Sequence, residues 1–150
     1  MSSENSDLFL GFDLSTQQLK IIATDSRLKH LDTFAVEFDA QFKKYGVKKG
    51  VLQDDKSGVI VSPVAMWIDA IEYVFDQMKS KGFPFERVRG ISGSGQQHGT
   101  VYWSKNAHDL LKNLNPESKE SLAEQLNDAF AYDHSPNWQD HLTGKEIKDF

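Results

Sequence analysis

The chain has 150 residues, no cysteine, and 22 acidic against 17 basic residues, for a formal charge of −5. That length allows one ordinary domain with a sizeable core. The lack of cysteine excludes a disulfide framework and a cysteine-based zinc site and fits the cytoplasm; the mild acidity argues against a dedicated nucleic-acid surface; and no apolar run is long enough to span a membrane.

The opening MSSENSD lacks the basic and apolar regions of a signal peptide, and residues 1–7 are expected to be a disordered tail. Leu8 to Phe12 and Leu19 to Ala23 are short apolar runs rich in aromatic and branched residues, which predict two strands. Between them lie Asp13, Leu14, Ser15, Thr16, Gln17 and Gln18, a tight polar turn. After a turn at Asp25–Arg27, Leu28 to Phe38 predicts a third strand with Phe34, Val36 and Phe38 on one face. Asp39 to Gly58 is polar and lysine-rich. It is expected to be a surface loop, functional or mobile at that length, with a short strand near Val47–Leu52.

Ser62 to Lys81 carries the clearest helical period, with Ser62 as N-cap, Pro63 at the first position and Gly82 as the stop. Trp67 and Met78 fall in its apolar stripe and are assigned to the core. Val88 to Ser92 predicts a buried strand that runs into a loop, Gly93-Ser94-Gly95-Gln96-Gln97-His98-Gly99. Ala107–Leu114 and Ser118–Phe130 predict helices, and a capping box at Ser121 and Glu124 would move the second start later. Ser135 to His141 is a polar loop with one large aromatic residue, and Thr143 is expected to cap a helix beginning at Gly144. Three antiparallel strands, a helix, a strand and further helices make an α/β domain with a mixed sheet.

Two stretches carry chemistry. The first turn can aim backbone N–H groups at an anion, with donors from Ser15, Thr16 and Lys20. Asp13 faces the same point, and a carboxylate beside phosphate is unfavourable unless a cation such as Mg2+ lies between them. The alternative is an ordinary hairpin in which Asp13 and Ser15 satisfy the turn backbone. In the second stretch, glycines permit close backbone approach, and Gln96, Gln97 and His98 offer donors and acceptors suited to hydroxyl groups. His98 stands where a dinucleotide fingerprint needs glycine, and there is no P-loop or zinc-protease motif. His108, His134 and His141 are assigned to the surface. A phosphate-binding turn and a hydroxyl-binding loop together suggest phosphoryl transfer to a polyol or sugar.

The strings LGFDLSTQQLK and ISGSGQQHGTVYW resemble the phosphate motif and the sugar loop of the FGGY carbohydrate kinases, the second most like the xylulokinases of fungi. VSPVAMW and PNWQDHLTGKE resemble stretches of the same enzymes in the same order, so the likeness runs from Leu8 to Phe150. The resemblance implies an actin/hexokinase-like (ribonuclease H-like) fold, incomplete here, and phosphorylation of D-xylulose by ATP. It implies that Asp13 organises Mg2+ with ATP and that Ser15, Thr16, Gln17 and Lys20 lie near the phosphates. Gln96, Gln97 and His98 would bind the sugar, and Asp140 would lie close to it. The family often has glycine in place of Ser15, and many members carry arginine in place of Leu142, so that arginine's role is not carried over.

Family members are several times longer, and their catalytic base and adenine pocket lie in the C-terminal half. Residues 8–150 are therefore expected to be part of an N-terminal domain, without a catalytic residue of its own and inactive in isolation. The rival readings are another sugar or polyol kinase, for ribulose, gluconate or glycerol, and a non-catalytic nucleotide- or sugar-binding fragment.

Overall fold

The structure, a computed structural model, describes residues 6–144 and 146–149. Most of the expected tail lies outside the described residues. Of the remainder, the Ser6 carbonyl accepts from Arg87 Nε at 3.0 Å and Nη2 at 2.6 Å. Asp7 pairs with Arg89 at 3.2 Å.

Strands β1 (Leu8–Leu14), β2 (Gln18–Asp25) and β3 (His30–Glu37) form an antiparallel meander. The β2–β3 turn is held by Asp25, whose Oδ1 accepts from the Arg27 N–H at 2.8 Å and the Lys29 N–H at 3.0 Å. These bonds, the Lys29 one foremost, hold its carboxyl below the usual aspartate value. Alternation places Leu10, Leu19, Ile21, Ala23, Phe34 and Val36 on one buried face, as the side-chain period of two requires. Phe38 is fully buried on the same side but opens a short helix, α1 (Phe38–Gln41).

The expected loop over 39–58 is structured along much of its length, with α1 and a 3-10 turn at Lys43–Tyr45 in its first part. A bridge joins Lys48 to Val51, and β4 (Leu52–Asp54) pairs with β5 (Val59–Pro63), a strand the sequence reading did not anticipate. Helix α2 follows at Val64–Ser80. Ser62 is not its N-cap, because it belongs to β5 and its hydroxyl donates to the Gly50 carbonyl at 3.1 Å. Pro63 therefore takes the N-cap position rather than the first helical one. Trp67 and Met78 are buried between α2 and the four-stranded sheet, in the core assigned to them.

Strand β6 (Val88–Gly95) is longer than expected because it continues through Gly93 to Gly95 alongside β1. It runs parallel to β1, which gives a mixed sheet in the order β3-β2-β1-β6. Helices α3 (Ala107–Lys112) and α4 (Leu122–Gln125) form a satellite cluster around Leu126 and Ala129. The single helix expected over 118–130 is instead α4 followed by a short 3-10 turn, and its start is set by the Ser121–Glu124 capping box. Strand β7 (His134–Pro136), also unanticipated, pairs with β5 and completes a second sheet, β4-β5-β7. In place of a helix from Gly144 there are two 3-10 turns, Leu142–Gly144 and Glu146–Lys148, with Lys145 and Phe150 outside the described residues. His108, His134 and His141 are exposed. No helix among the described residues is long and apolar enough to cross a membrane.

Candidate active site

β1 and β6 are adjacent parallel strands, so their carboxyl ends open side by side, with Leu14 opposite Gly95. Clefts that bind ligands in open α/β sheets form at such strand ends. Here the cleft of about 420 Å3 is lined by Asp13, Ser15, Thr16, Gly95, Gln96, Gln97 and Trp138, among others. The pairing therefore brings the phosphate-like turn and the hydroxyl-like loop to one place.

The turn is locally closed. The Ser15 N–H donates to the Gln18 carbonyl at 3.0 Å, and the Ser15 hydroxyl donates to Asp13 Oδ1 at 2.9 Å. Asp13 and Lys20 are direct cross-strand partners, so they share the sheet face opposite α2. Gln17 is exposed. With Ser15, Thr16 and Gln18 it borders a second depression that also holds Glu37 and Asp39. Among the described residues no group of three or more carboxylates and histidines could hold a metal ion. Asp13 alone suits a cation bound mainly by phosphate oxygens and water, which is how Mg2+ is commonly held in phosphoryl-transfer sites.

Gln96 joins the two halves of the cleft. Its Oε1 accepts from Thr16 Oγ1 at 3.4 Å and from Asn137 Nδ2 at 2.8 Å. Its Nε2 is buried without a hydrogen-bond partner. Asn137 is 2% exposed and is itself pinned, its N–H donating to the Ile60 carbonyl at 2.9 Å. Ser135, with no exposure, accepts from the Thr100 N–H at 2.9 Å and so anchors the far end of the glycine loop to β7.

The other sequence-derived candidates are placed differently. His98 is exposed in a left-handed conformation (φ 63°) and does not line the cleft. Asp140 ties its own loop to the second sheet, its Oδ2 accepting from the Ile60 N–H at 2.9 Å and its Oδ1 from the Leu142 N–H at 3.1 Å. Asn137 and Trp138 also belong to the site, although sequence alone does not mark them as site residues. A lone tryptophan in a polar loop was the available signal for Trp138, and nothing local marks Asn137 as buried.

The chain superposes on a gluconate kinase from Lactobacillus acidophilus with a TM-score of 0.62 at 15% identity, over 96% of this chain and 22% of that one. A glycerol kinase from Plasmodium falciparum gives 0.58 at 10% identity, over 97% and 23%. The fold is thus that of the sugar kinases, actin/hexokinase-like, present here as a partial domain. No protein-family model matches the chain.

The sequence is nearer to the fungal D-xylulose kinases. It is 47% identical over all 150 residues to a protein of Aspergillus terreus named probable D-xylulose kinase A. It is 43% identical over the same length to one of that name in Arthroderma otae. This likeness to proteins named as carbohydrate kinases runs along the whole of this chain. The chain spans about a quarter of the length of these relatives, 26% of each.

Proposed function

We propose that the polypeptide carrying this chain transfers the γ-phosphoryl group of ATP to a terminal hydroxyl of D-xylulose, in the cytoplasm. The observation that carries this reading is the single cleft at the carboxyl ends of β1 and β6, with the Ser15–Gln18 turn on one wall and Gln96–Gln97 on the other. The relatives named D-xylulose kinase support the choice of sugar.

Phosphoryl transfer depends chiefly on positioning and on electrostatic stabilisation of the moving group. Ser15, Thr16, Gln17 and Lys20 would orient the phosphates by hydrogen bonding and charge. Asp13 would hold Mg2+, which would supply positive charge to offset that of the phosphates. Gln96, Gln97 and His98, with Asp140 behind them, would hold the sugar hydroxyls. The group that takes the hydroxyl proton is expected outside these residues.

A coupled ADP-release assay on the full-length polypeptide, with D-xylulose, D-ribulose, gluconate and glycerol in parallel, tests the reading. D-Xylulose should give the highest kcat/KM. A higher value for another substrate would transfer the reading to that kinase class, and no sugar-dependent ADP release would leave only a binding module.

A further inference from the structure

Gly50 is buried just ahead of β4 with φ +78°. A Cβ built on it would stand 1.8 Å from the Thr16 carbonyl oxygen and 2.7 Å from the Thr16 carbonyl carbon. Both atoms are backbone and cannot swing aside as the end of a flexible side chain can. A side chain here is therefore resisted twice, by the left-handed conformation and by the contact.

The backbone of Gly50 is held on every side. Its N–H donates to Asp39 Oδ1 at 2.8 Å, and its carbonyl accepts from the fully buried Ser62 hydroxyl at 3.1 Å. Asp39 Oδ2 also accepts from the N–H of Lys49 at 2.6 Å, which secures Lys49 in its own left-handed conformation (φ 54°). One residue before Asp39, the Phe38 N–H donates to the Gln17 carbonyl at 3.0 Å. The Ser15–Gln18 turn thus has two consecutive peptide carbonyls fixed from behind: Thr16 by contact with Gly50, and Gln17 by the start of α1.

We propose that Gly50, secured by Asp39, is a positioning residue that sets where the Ser15–Gln18 turn stands relative to Gln96 and Gln97. The proposal rests on the kinase reading above, and it assigns a role in phosphate placement to a residue that touches no substrate. Displacing a reactant by about 1 Å can cost roughly a hundredfold in rate, so small movements of this turn should register on the nucleotide.

The test uses the full-length polypeptide with Gly50→Ala and Asp39→Asn, and measures kcat, both KM values and hydrogen–deuterium exchange over residues 10–20. Gly50→Ala should raise the KM for ATP about tenfold or more and leave the KM for the sugar within about twofold. Asp39→Asn should move both in the same sense by less. Exchange over 10–20 should quicken in both variants. Unchanged ATP KM in both, or an equal rise in both KM values, overturns the proposal, since a merely structural role would lower the active fraction without that split. If Gly50→Ala does not fold, Asp39→Asn decides. If the wild type shows no sugar phosphorylation, the kinase reading falls, and exchange over 10–20 still decides the clamp: quickened exchange supports it and unchanged exchange overturns it.

Discussion

Asn137 Nδ2 donates to Gln96 Oε1 at 2.8 Å, and the same oxygen accepts from the Thr16 hydroxyl. One buried asparagine on the loop after β7 thereby holds the side chain that connects both walls of the cleft. Its own Oδ1 accepts from the Gln139 N–H at 3.1 Å, so its amide is oriented before it meets Gln96.

Asn137→Ala should lower equilibrium stability by about 1–3 kcal/mol, the usual cost of leaving buried polar partners unmatched. A double-mutant cycle with Gln96→Ala, read by chemical denaturation, should show a coupling of about 0.5 kcal/mol or more. Strict additivity would mean that the 2.8 Å contact carries no energy.

His98→Ala should impair sugar use and spare the nucleotide. We expect the sugar KM to rise about tenfold, the loss of roughly 1.4 kcal/mol of hydrogen bonding to the substrate, with the ATP KM within about twofold. Because His98 is exposed and outside the cleft lining, its engagement requires a closing movement of the kind that encloses many kinase substrates. Steady-state kinetics with unchanged sugar parameters would remove His98 from the site.

Asp13→Asn should reduce turnover about a hundredfold or more, by analogy with the removal of one electrostatic catalytic contact, while the sugar KM changes little. The effect should be greatest at limiting Mg2+. A wild-type rate under those conditions would reject the metal role.

The buried carboxylate of Asp69 accepts from the Tyr45 hydroxyl at 2.7 Å and pairs with Lys44 at 2.7 Å. Burial, reinforced by this bond and by the Asp69 charge, raises the Tyr45 pKa above its ordinary 10.0. A raised value means that the folded state holds the phenolic proton more tightly than the unfolded chain. This contribution to stability is therefore complete below the unfolded value and is lost as pH rises beyond it. Tyr45→Phe should cost about 1 kcal/mol at neutral pH and flatten the decline of stability above pH about 10. Identical alkaline slopes for variant and wild type in urea titrations would show that Tyr45 does not carry it.

Ile22 on the sheet face away from α2, Leu28 in the β2–β3 turn and Ile91 on the edge strand β6 border one apolar depression and are 36%, 79% and 63% exposed. The 150-residue chain alone should therefore self-associate, since contiguous apolar surface of this kind drives contact between molecules. Light scattering should report species larger than a monomer, reduced by Ile91→Lys. A clean monomer for the unmodified chain would contradict this.

Much of this molecule follows from short-range sequence. The strands around the Asp13–Gln18 turn, the stripe of α2 and the Ser121–Glu124 capping box each depend on residues a few positions apart, where periodicity, propensity and capping act. Those features are legible because their partners are local. The cleft is not: Thr16 and Gln96 are 80 residues apart and meet only because β6 runs parallel to β1. Ser62 reads locally as a helix cap, yet the pairing of β5 with β7 and the Gly50 carbonyl claim it for a strand. Gly50 reads as one more loop glycine until the Thr16 carbonyl lies against it. Composition and local pattern thus determined the types of element and the residue chemistry available to a site. Tertiary structure alone decided which polar groups share buried space, because long-range pairing and desolvation depend on the packed chain and leave no local period to read.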